Sequence, residues 1–489
     1  MKILISVLIF LIHFTFIFCQ NELVFDFNCY TIIVGKEASA DGSVLLAHNE
    51  DDLGDLLVDI HKTNRGFIDT LNEINKAHFI KDINETFICL WIEIPNQQFA
   101  DGFLNEFGVV ICSDGSQSKE SNKTGEAGYY LRKTLAERSR SAREAVNLAG
   151  KIIEEYGYSH SGRTYCIADP DEAWVLEVVK GKQWVAKRLP DNEIAIIPNY
   201  YVIQEVDLAD TINYLGSPDL IDYAITNGWY DTCGKEEFIF RSAYGDSLRQ
   251  HSVRNIARKW IGINHFSEKQ YALDADFPFS FRPVNKITVE GLIEVLENHY
   301  EGTEFEMHSD GNKGNPHMNE IMTICAGYNQ YSFIAQLRKQ MPNEVGNLIW
   351  FAPRRSCIQP YIPVYLGITR VPERFEKESF DKASANHFNY ERNLKDLFSD
   401  HASWVFSKYA EIIDDNYEAE IKEIKKYCEK SERKLLRRQR GFEKKVLKVY
   451  CKDDWKAREM LTSYTSRYLM KILTDTENKI NNHKKINSK

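Results

Sequence analysis

A β-hairpin that begins at a cysteine is the feature that most constrains this chain. Cys29 opens a β-branched run over residues 30–35, and the turn residues 39–42, Ser-Ala-Asp-Gly, separate it from a second run over residues 43–48. Both runs have the composition of short strands, so the pattern predicts two antiparallel strands. It also places a thiol at the leading edge of the hairpin.

An apolar segment precedes the hairpin and predicts a targeting signal. Residues 3–18 follow Lys2 and are apolar except at Ser6, His13 and Thr15. This pattern is typical of a secretory signal peptide over residues 1–19, with residues 20–28 as a short propeptide. No stop-transfer charges follow and no later segment is apolar enough to span a bilayer, so no stable membrane anchor is expected.

The expected compartment is the secretory pathway, and the protein is expected to be secreted or lysosomal. Two Asn-x-Thr sequons, at Asn84 and Asn122, fit this interpretation and predict a glycoprotein. Nine cysteines remain when Cys19 in the signal is set aside, which is an odd number for an oxidising compartment. One thiol is therefore expected to stay unpaired, and Cys29 is the candidate.

The other eight cysteines contain no Cys-x-x-Cys pair and are interpreted as a mixture of buried thiols and disulfides. His308 and His317 flank a Gly/Asn-rich loop that also holds Asp310, but their spacing matches no zinc pattern. That segment is interpreted as a surface loop. No metal and no organic cofactor are expected.

Charge is distributed unevenly along the 489 residues. Residues 422–489 hold 21 basic and 9 acidic side chains, whereas residues 1–421 hold 40 basic and 62 acidic ones. An acidic body repels phosphate backbones, so nucleic acid is not an expected partner. The basic tail is interpreted as a solvated helix face, with contact to an anionic surface as the alternative.

The order of elements predicts an α+β fold. Strand patterns recur at residues 86–92, 109–112, 164–168, 173–179, 183–188 and 194–197. Helical spacing of apolar residues is found at 128–156, 247–260 and 289–299, between and after these strands. From about residue 381 onward the strand patterns disappear and long polar helices follow. Sheets covered by helices are therefore expected.

Residues 29–51, CYTIIVGKEASADGSVLLAHNED, resemble the mature start of the dipeptidase/secernin family of cysteine-type N-terminal-nucleophile (Ntn) hydrolases. Segments at 162–177, 184–190, 278–283, 299–303 and 360–365 also resemble family signatures, in the family's order. The resemblance implies a four-layer αββα sandwich of two antiparallel sheets. It implies a catalytic domain over residues 29–380, and we expect residues 381–489 to form a basic helical extension packed on that body.

The resemblance also changes the interpretation of Cys29. The local pattern alone favours a half-cystine, whereas the family match implies a nucleophile. If the chain is cut between Asn28 and Cys29, the new α-amino group, with a typical pKa of about 7.7–8.0, can serve as the base. Asn28 does not suit signal peptidase, so a separate processing step is expected, for which autocatalysis is one route.

Further site residues are implied position by position. Asp51 matches the acid that orients the α-amino group in the related bile-salt and penicillin V acylases, although it could be a solvated turn residue. Asn105 and Asn199 resemble the two asparagines beside the oxyanion; each could instead be a turn residue. His48 stands where the acylases have an arginine, and at an ordinary pKa of about 6.5 its charge would depend on pH, unless it is only a packed histidine. Arg282 is a candidate partner for a substrate carboxylate.

The implied activity is that of a cysteine-type exopeptidase that hydrolyses dipeptides, with small peptides as substrates. Two alternatives stay open. One is an acyl-amide hydrolase that acts on penicillin V-like, bile-salt-like or ceramide-like amides. The other is a non-catalytic, secernin-like secretory protein. The sequence does not decide whether the chain forms a homo-oligomer.

Overall fold

The structure, a computed structural model, describes residues 29–67, 85–234, 237–307, 314–390 and 392–487. The predicted signal peptide and propeptide, Asn84, His308 and Asp310 lie outside these residues. What the sequence predicts for them therefore stays a prediction. No helix within the described ranges has both the length and the apolar character needed to cross a membrane.

The strands of the described residues form two large antiparallel sheets and one short ribbon. They are β1 (Tyr30–Val34), β2 (Val44–Asp51), β3 (Asp59–Lys62), β4 (Gly66–Phe67), β5 (Glu85–Thr86), β6 (Cys89–Glu93), β7 (Gly102–Asn105), β8 (Val110–Gly115), β9 (Tyr158–Ala168), β10 (Ala173–Gly181), β11 (Trp184–Arg188), β12 (Ile194–Ile197), β13 (Tyr214–Gly216), β14 (Asn329–Leu337), β15 (Leu348–Pro353) and β16 (Ile362–Tyr365).

The first sheet has the strand order β12-β1-β2-β14-β15-β16, and the second has the order β13-β11-β10-β9-β8-β7-β6-β3. The two sheets share one hydrophobic core, to which β1 and β2 contribute from one side and β8, β9 and β10 from the other. The predicted meander over residues 164–197 is only partly correct. Strands β9, β10 and β11 are neighbours in the second sheet, but β12 leaves it and pairs with β1.

The hairpin predicted at Cys29 is confirmed. Strands β1 and β2 pair with Thr31 opposite His48, and both strands are buried along their whole length. Strand β2 runs three residues further than predicted, through Asp51. Because side chains alternate across a strand, His48 and Glu50 share one face of β2 while Asp51 points to the other.

Helices cover the outer faces of both sheets. They are α1 (Tyr129–Arg138), α2 (Ala142–Tyr156), α3 (Leu220–Thr226), α4 (Phe240–Tyr244), α5 (Ser247–Gln250), α6 (Val253–Phe266), α7 (Val289–Leu296), α8 (Asn343–Gly346), α9 (Phe380–Asn386), α10 (Leu394–Leu397), α11 (Ala402–Asp414), α12 (Tyr417–Tyr450) and α13 (Asp454–Asn487). Helices α1 and α2 pack on the second sheet, and α6 and α7 on the first. The four-layer αββα sandwich and the C-terminal helical extension are thereby confirmed.

The long basic helices α12 and α13 pack against each other and against β16 at the edge of the first sheet. A buried ion pair fastens α12 to the sandwich: the Arg338 guanidinium donates to both carboxylate oxygens of Glu443, at 2.9 and 2.7 Å. The Tyr361 backbone N–H also donates to Glu432 on the same helix, at 3.0 Å. The apolar stripe of the tail is therefore buried on the sandwich while its basic face stays in solvent.

Candidate active site

Cys29 lies at the start of β1 and is buried, with 1% of its surface exposed. Its thiol donates to Glu50 Oε1 at 3.1 Å. Its backbone carbonyl accepts from Arg258 Nη1 at 3.2 Å. Strand β2 and helix α6 therefore hold this residue from two sides.

A chain of buried polar groups continues from Glu50 into the space between the sheets. His48 Nε2 lies 3.0 Å from Glu50 Oε2, and His48 Nδ1 lies 2.7 Å from Thr31 Oγ1. Thr31 donates its single hydroxyl proton to Asp114 on β8, at 2.7 Å. Thr31 must therefore accept from His48, so His48 carries a proton on Nδ1.

The electrostatics of this chain keep the thiol protonated. Burial, followed by the carboxylates of Glu50, Asp114 and Asp51, raises the pKa of Cys29 well above its ordinary value, against the opposing effect of the Asp51 backbone N–H. A thiol in this setting needs a base before it can attack a carbonyl group. In the uncut chain the nitrogen of Cys29 is a peptide nitrogen and cannot serve as one.

The expectation that His48 loses its charge above about pH 6.5 is wrong in this environment. Burial lowers the pKa of His48, but interactions with Cys112, Glu50 and Asp114 outweigh it and raise the pKa well above its ordinary value. The surroundings of His48 therefore favour its protonated form.

Asp51 is buried near Cys29, at the end of β2. Its Oδ1 accepts from Asn329 Nδ2 at 3.2 Å, while its Oδ2 is buried and has no hydrogen-bond partner among the described residues. Burial raises the pKa of Asp51 well above its usual value, although the charge of Arg258 and the bond from Asn329 oppose that rise. A buried carboxylate of this kind is stabilised by a cation, and it has no ammonium group beside it in the uncut chain.

Asn199 follows β12 and lies against the same arginine as Cys29. Its Oδ1 accepts from Arg258 Nη2 at 2.8 Å, and its backbone carbonyl accepts from Asn255 Nδ2 at 3.3 Å. Its Nδ2 is buried and has no hydrogen-bond partner within the described part of the chain. The amide is thus held by its oxygen, and its two N–H groups are available to a developing negative charge.

The structure does not bring Asn105 into this site, which corrects the expectation from the family resemblance. Its Nδ2 donates to the carbonyls of Ala136 and Ser139 at 2.8 and 2.7 Å, at the end of α1. Its Oδ1 accepts the backbone N–H groups of Phe107 and Val109, both at 3.0 Å. Both amide protons are committed to the outer helix layer, so Asn105 is a structural turn residue.

Arg282 is also placed away from Cys29. It is exposed, and it lies against the side-chain amide of Asn192, whose oxygen accepts from Nε and Nη2 at 3.2 Å when the amide is turned toward the guanidinium. Its neighbour Phe281 pairs with Ile194, opposite the far end of β1. Five residues of strand separate that end from Cys29, which is roughly 16 Å at about 3.3 Å per residue. Arg282 therefore does not contact a small substrate bound at Cys29.

Sequence reasoning missed Arg258 and Glu50, which bind Cys29 directly. The signal for Arg258 is its position on α6: Asn255, Arg258 and Gly262 follow one another at helical spacing and all face β1 or Asn199. A charged residue on the buried stripe of a helix is unusual unless it is paired. Glu50 lies in the segment that resembles the family, residues 29–51, between His48 and Asp51, to which the resemblance assigned roles.

The cysteines of the described residues form no disulfide with one another; seven are buried and two, Cys233 and Cys451, are exposed. The expected disulfides are therefore not found there, and the odd count no longer singles out Cys29. Asn122 is exposed in the loop before α1, as a glycosylation site must be, and its glycosylation stays a prediction. Cys29, His48 and Glu50 also offer ligand atoms within 4.8 Å of one another, but they are joined by the hydrogen bonds already described.

Comparisons with known proteins match this chain to peptidases. The family model described as Peptidase family C69 matches residues 130–430. A probable dipeptidase of Salmonella dublin is 28% identical over 376 residues, covering 73% of this chain and 85% of that protein. Probable dipeptidase A of Streptococcus pyogenes serotype M1 is 26% identical over 489 residues, covering 93% and 97%. A mutant of the conjugated bile acid hydrolase from Clostridium perfringens aligns with a TM-score of 0.30 and 13% identity, over 66% of this chain and 89% of that one.

Proposed function

The chain belongs to peptidase family C69, and from that membership we propose that it is a cysteine-type dipeptidase with Cys29 as its nucleophile. The observation that carries the proposal is the unpartnered, buried Nδ2 of Asn199, held beside Cys29 by the guanidinium that also binds the Cys29 carbonyl. The names of the relatives support dipeptides as the substrate class.

The proposed enzyme matures by a cut between Asn28 and Cys29, after a signal peptide over residues 1–19 has directed the chain into the secretory pathway for secretion or lysosomal retention. The cut frees an α-amino group with a typical pKa of about 7.7–8.0. Asp51 Oδ2, buried and unpartnered among the described residues, is a suitable acceptor for that amine. The charged form of that amine would add a second cation, beside Arg258, that favours the buried carboxylate.

The proposed reaction proceeds in two halves. In the first, the α-amine takes the thiol proton, the Cys29 sulfur attacks the peptide carbonyl, and the carbon–nitrogen bond breaks as the proton passes to the leaving amine. In the second, the α-amine of Cys29 takes a proton from water, and the hydroxide attacks the thioester. The carbon–sulfur bond breaks and the proton passes to the sulfur, which restores the thiol. Asn199 Nδ2 donates to the oxyanion in both halves, a contribution of about 2.7–4 kcal/mol for one well-placed donor.

Two measurements on purified full-length protein test the proposal. N-terminal sequencing and intact mass are expected to show a mature chain that starts at Cys29, which hydrolyses dipeptides to free amino acids. Cys29→Ser is expected to lose at least most of this turnover. The matched control is Cys233→Ser, which removes an exposed thiol and is expected to keep full activity.

A mature chain that starts anywhere other than Cys29 would remove the proposed base and refute the mechanism. Unchanged dipeptide hydrolysis in Cys29→Ser would refute the nucleophile. Hydrolysis of acylated amino acids without turnover of dipeptides would keep the mechanism and transfer the substrate class to acyl amides.

A further inference from the structure

Four metal-ligating side chains meet in a buried cluster outside the active site. His299 follows α7, His317 lies in a short helical turn at Pro316–Met318, Cys325 precedes β14, and Cys357 lies in the turn after β15. All four residues are buried, and one ligand atom from each lies within 4.8 Å of the other three. The interpretation of His317 as part of a surface loop is therefore wrong.

The distances in this cluster match a tetrahedral zinc site. His299 Nε2 and His317 Nε2 lie 3.3 Å apart, and His317 Nε2 lies 3.4 Å from Cys357 Sγ and 3.9 Å from Cys325 Sγ. A tetrahedron with Zn–N of about 2.0–2.1 Å and Zn–S of about 2.3 Å has edges of roughly 3.3–3.8 Å between its ligand atoms. Both imidazoles turn the same nitrogen, Nε2, toward the centre of the group.

The other nitrogen of each imidazole bonds to a carboxylate. His317 Nδ1 lies 2.8 Å from Asp414 Oδ1, and His299 Nδ1 lies 3.3 Å from Glu301 Oε1. Asp414 is itself paired with the Arg355 guanidinium. Carboxylates in this position orient zinc-bound histidines and fix the tautomer that leaves Nε2 free to bind the metal.

The surroundings suit a neutral, closed site. The Tyr417 ring packs on both imidazoles, and apolar residues of α11, α12 and α13 enclose the two sulfurs. Two thiolates and one divalent cation have no net charge, so such a group can be buried without a counter-ion. Asp59, His61 and Glu93 form another buried group of possible metal ligands. It differs from the His/Cys cluster because the Lys377 ammonium lies against both carboxylates and occupies the cation position.

We propose that His299, His317, Cys325 and Cys357 bind one Zn²⁺ in a closed, structural site. With four protein ligands the ion has no open position, so it does not take part in hydrolysis. Because the enclosing residues come from the C-terminal helices and the ligands from the sandwich, the ion stabilises the attachment of the helices to the catalytic body.

Metal analysis of the purified full-length protein tests the site. We expect one zinc per chain, and we expect Co²⁺ substitution to give the intense visible absorption of tetrahedral thiolate coordination. Cys325→Ser and Cys357→Ser are each expected to lose the bound metal and that absorption. Cys428→Ser is the matched control because Cys428 is a buried thiol in the same apolar cluster but is not a ligand, so zinc content should stay at one per chain.

A second measurement on the unaltered protein applies even if the cysteine variants fail to fold. A chelator is expected to release the zinc and to make two further thiols reactive, with a fall in Tm that added Zn²⁺ reverses. Protein that stays metal-free after incubation with Zn²⁺ would overturn the proposal. A Cys325–Cys357 disulfide found by mass spectrometry would also overturn it. None of these results depends on Cys29, so the site and the proposed activity can fail separately.

Discussion

Asn105 and Asn199 carry the same side-chain amide and differ in what surrounds it. The N–H groups of Asn105 are bonded to two backbone carbonyls, whereas Nδ2 of Asn199 is buried without a partner among the described residues. We expect Asn199→Ala to lower kcat by about 10²–10³ with little change in KM, because one oxyanion donor is lost. Steady-state kinetics with a dipeptide, on protein shown to be folded by circular dichroism, measures this.

Asn105→Ala is the matched control. This substitution removes four hydrogen bonds and leaves their backbone partners unsatisfied. Each unsatisfied group costs about 1–3 kcal/mol, so the free energy of unfolding should fall. The kcat of its folded fraction should be unchanged. A loss of kcat in Asn105→Ala that matches the loss in Asn199→Ala would contradict the assignment of these two residues.

Glu50 controls the thiol through its charge, which is a second effect at the residue scale. Its carboxylate accepts from Cys29 and is one of the causes that raise the pKa of that thiol. Glu50→Gln is expected to shift the pH profile of Cys29 alkylation to lower pH, because thiolate formation no longer meets this negative charge. Glu37→Gln, which changes an exposed carboxylate, is the control and should leave the profile in place. An unshifted profile in Glu50→Gln would show that burial and the other two carboxylates, Asp114 and Asp51, set the pKa without Glu50.

The family resemblance implied Cys29, His48, Asp51 and Asn199, and the structure places all four in or next to strands of the first sheet. It missed Arg258, which reaches Cys29 from a helix 229 positions along the chain. Only the packing of α6 on β1 brings these residues together. A contact of that kind has no local sequence pattern.

The contact between α6 and β1 depends on a glycine. A Cβ atom added at Gly262 would lie 2.1 Å from Tyr30 Oη, and Tyr30 directly follows Cys29, the proposed nucleophile. Gly262→Ala is therefore expected to displace Tyr30, with a loss of about 1–3 kcal/mol in the free energy of unfolding and a fall in kcat. Denaturant unfolding and dipeptide kinetics measure the two effects.

A double variant tests whether the destabilisation by Gly262→Ala comes from the clash with Tyr30 or from the loss of backbone flexibility at the glycine. In Tyr30→Phe with Gly262→Ala the nearest atoms to the new Cβ are Ile196 Cγ2 at 3.3 Å and the ring carbon at 3.4 Å, so most of the loss should be recovered. Gly441→Ala, with no atom within 4 Å of the new Cβ, should instead stabilise α12 by about 0.5–1 kcal/mol. A double variant no better than Gly262→Ala would contradict the steric explanation.

At the scale of elements, buried strands were predicted where turn residues mark them, as in the hairpin of β1 and β2, but three later strands of the first sheet were missed. The helix expected over residues 128–156 is divided into α1 and α2, because Ser141 caps the second helix by accepting from the Glu144 N–H at 3.1 Å. Strands β14, β15 and β16 were not predicted. They are buried along their whole length, so they lack the polar–apolar alternation by which a strand is recognised.

At the scale of the whole molecule, the basic tail is part of the fold. The tail supplies Glu443 to a buried ion pair and apolar residues to the core around the His/Cys cluster. The match to the Streptococcus pyogenes protein covers 93% of this chain, so that relative has a counterpart to most of these helices. The family motifs end before the tail, so the sequence predicted only that the tail packs on the body.

A second polar group joins the sandwich to the segment that leads into the tail. Glu93 on β6 accepts from His61 and His387 and lies against the ammonium group of Lys377. Burial raises the pKa of Glu93, but the bonds from His387 and His61 and the charge of Lys377 outweigh it and lower the pKa to about 2. For His61, burial is outweighed by Asp59, Glu376 and Glu93, and the pKa rises well above its ordinary value.

These two shifts act on stability in opposite directions as pH changes. The contribution of Glu93 to the free energy of unfolding is present above its unfolded pKa of about 4.3 and is lost as pH falls toward 2. The contribution of His61 is present below its unfolded pKa of about 6.5 and is lost as pH rises through its folded pKa. Glu93→Gln should therefore lower the free energy of unfolding most between about pH 4.5 and 6.5, by about 3–5 kcal/mol for a broken buried pair. Urea unfolding of both proteins across pH measures this difference.

Glu459→Gln, whose partner Arg370 is exposed, is the control and should lower the free energy of unfolding by at most about 1 kcal/mol. A deficit in Glu93→Gln that does not change with pH would mean that packing, and not the ionised pair, stabilises this junction.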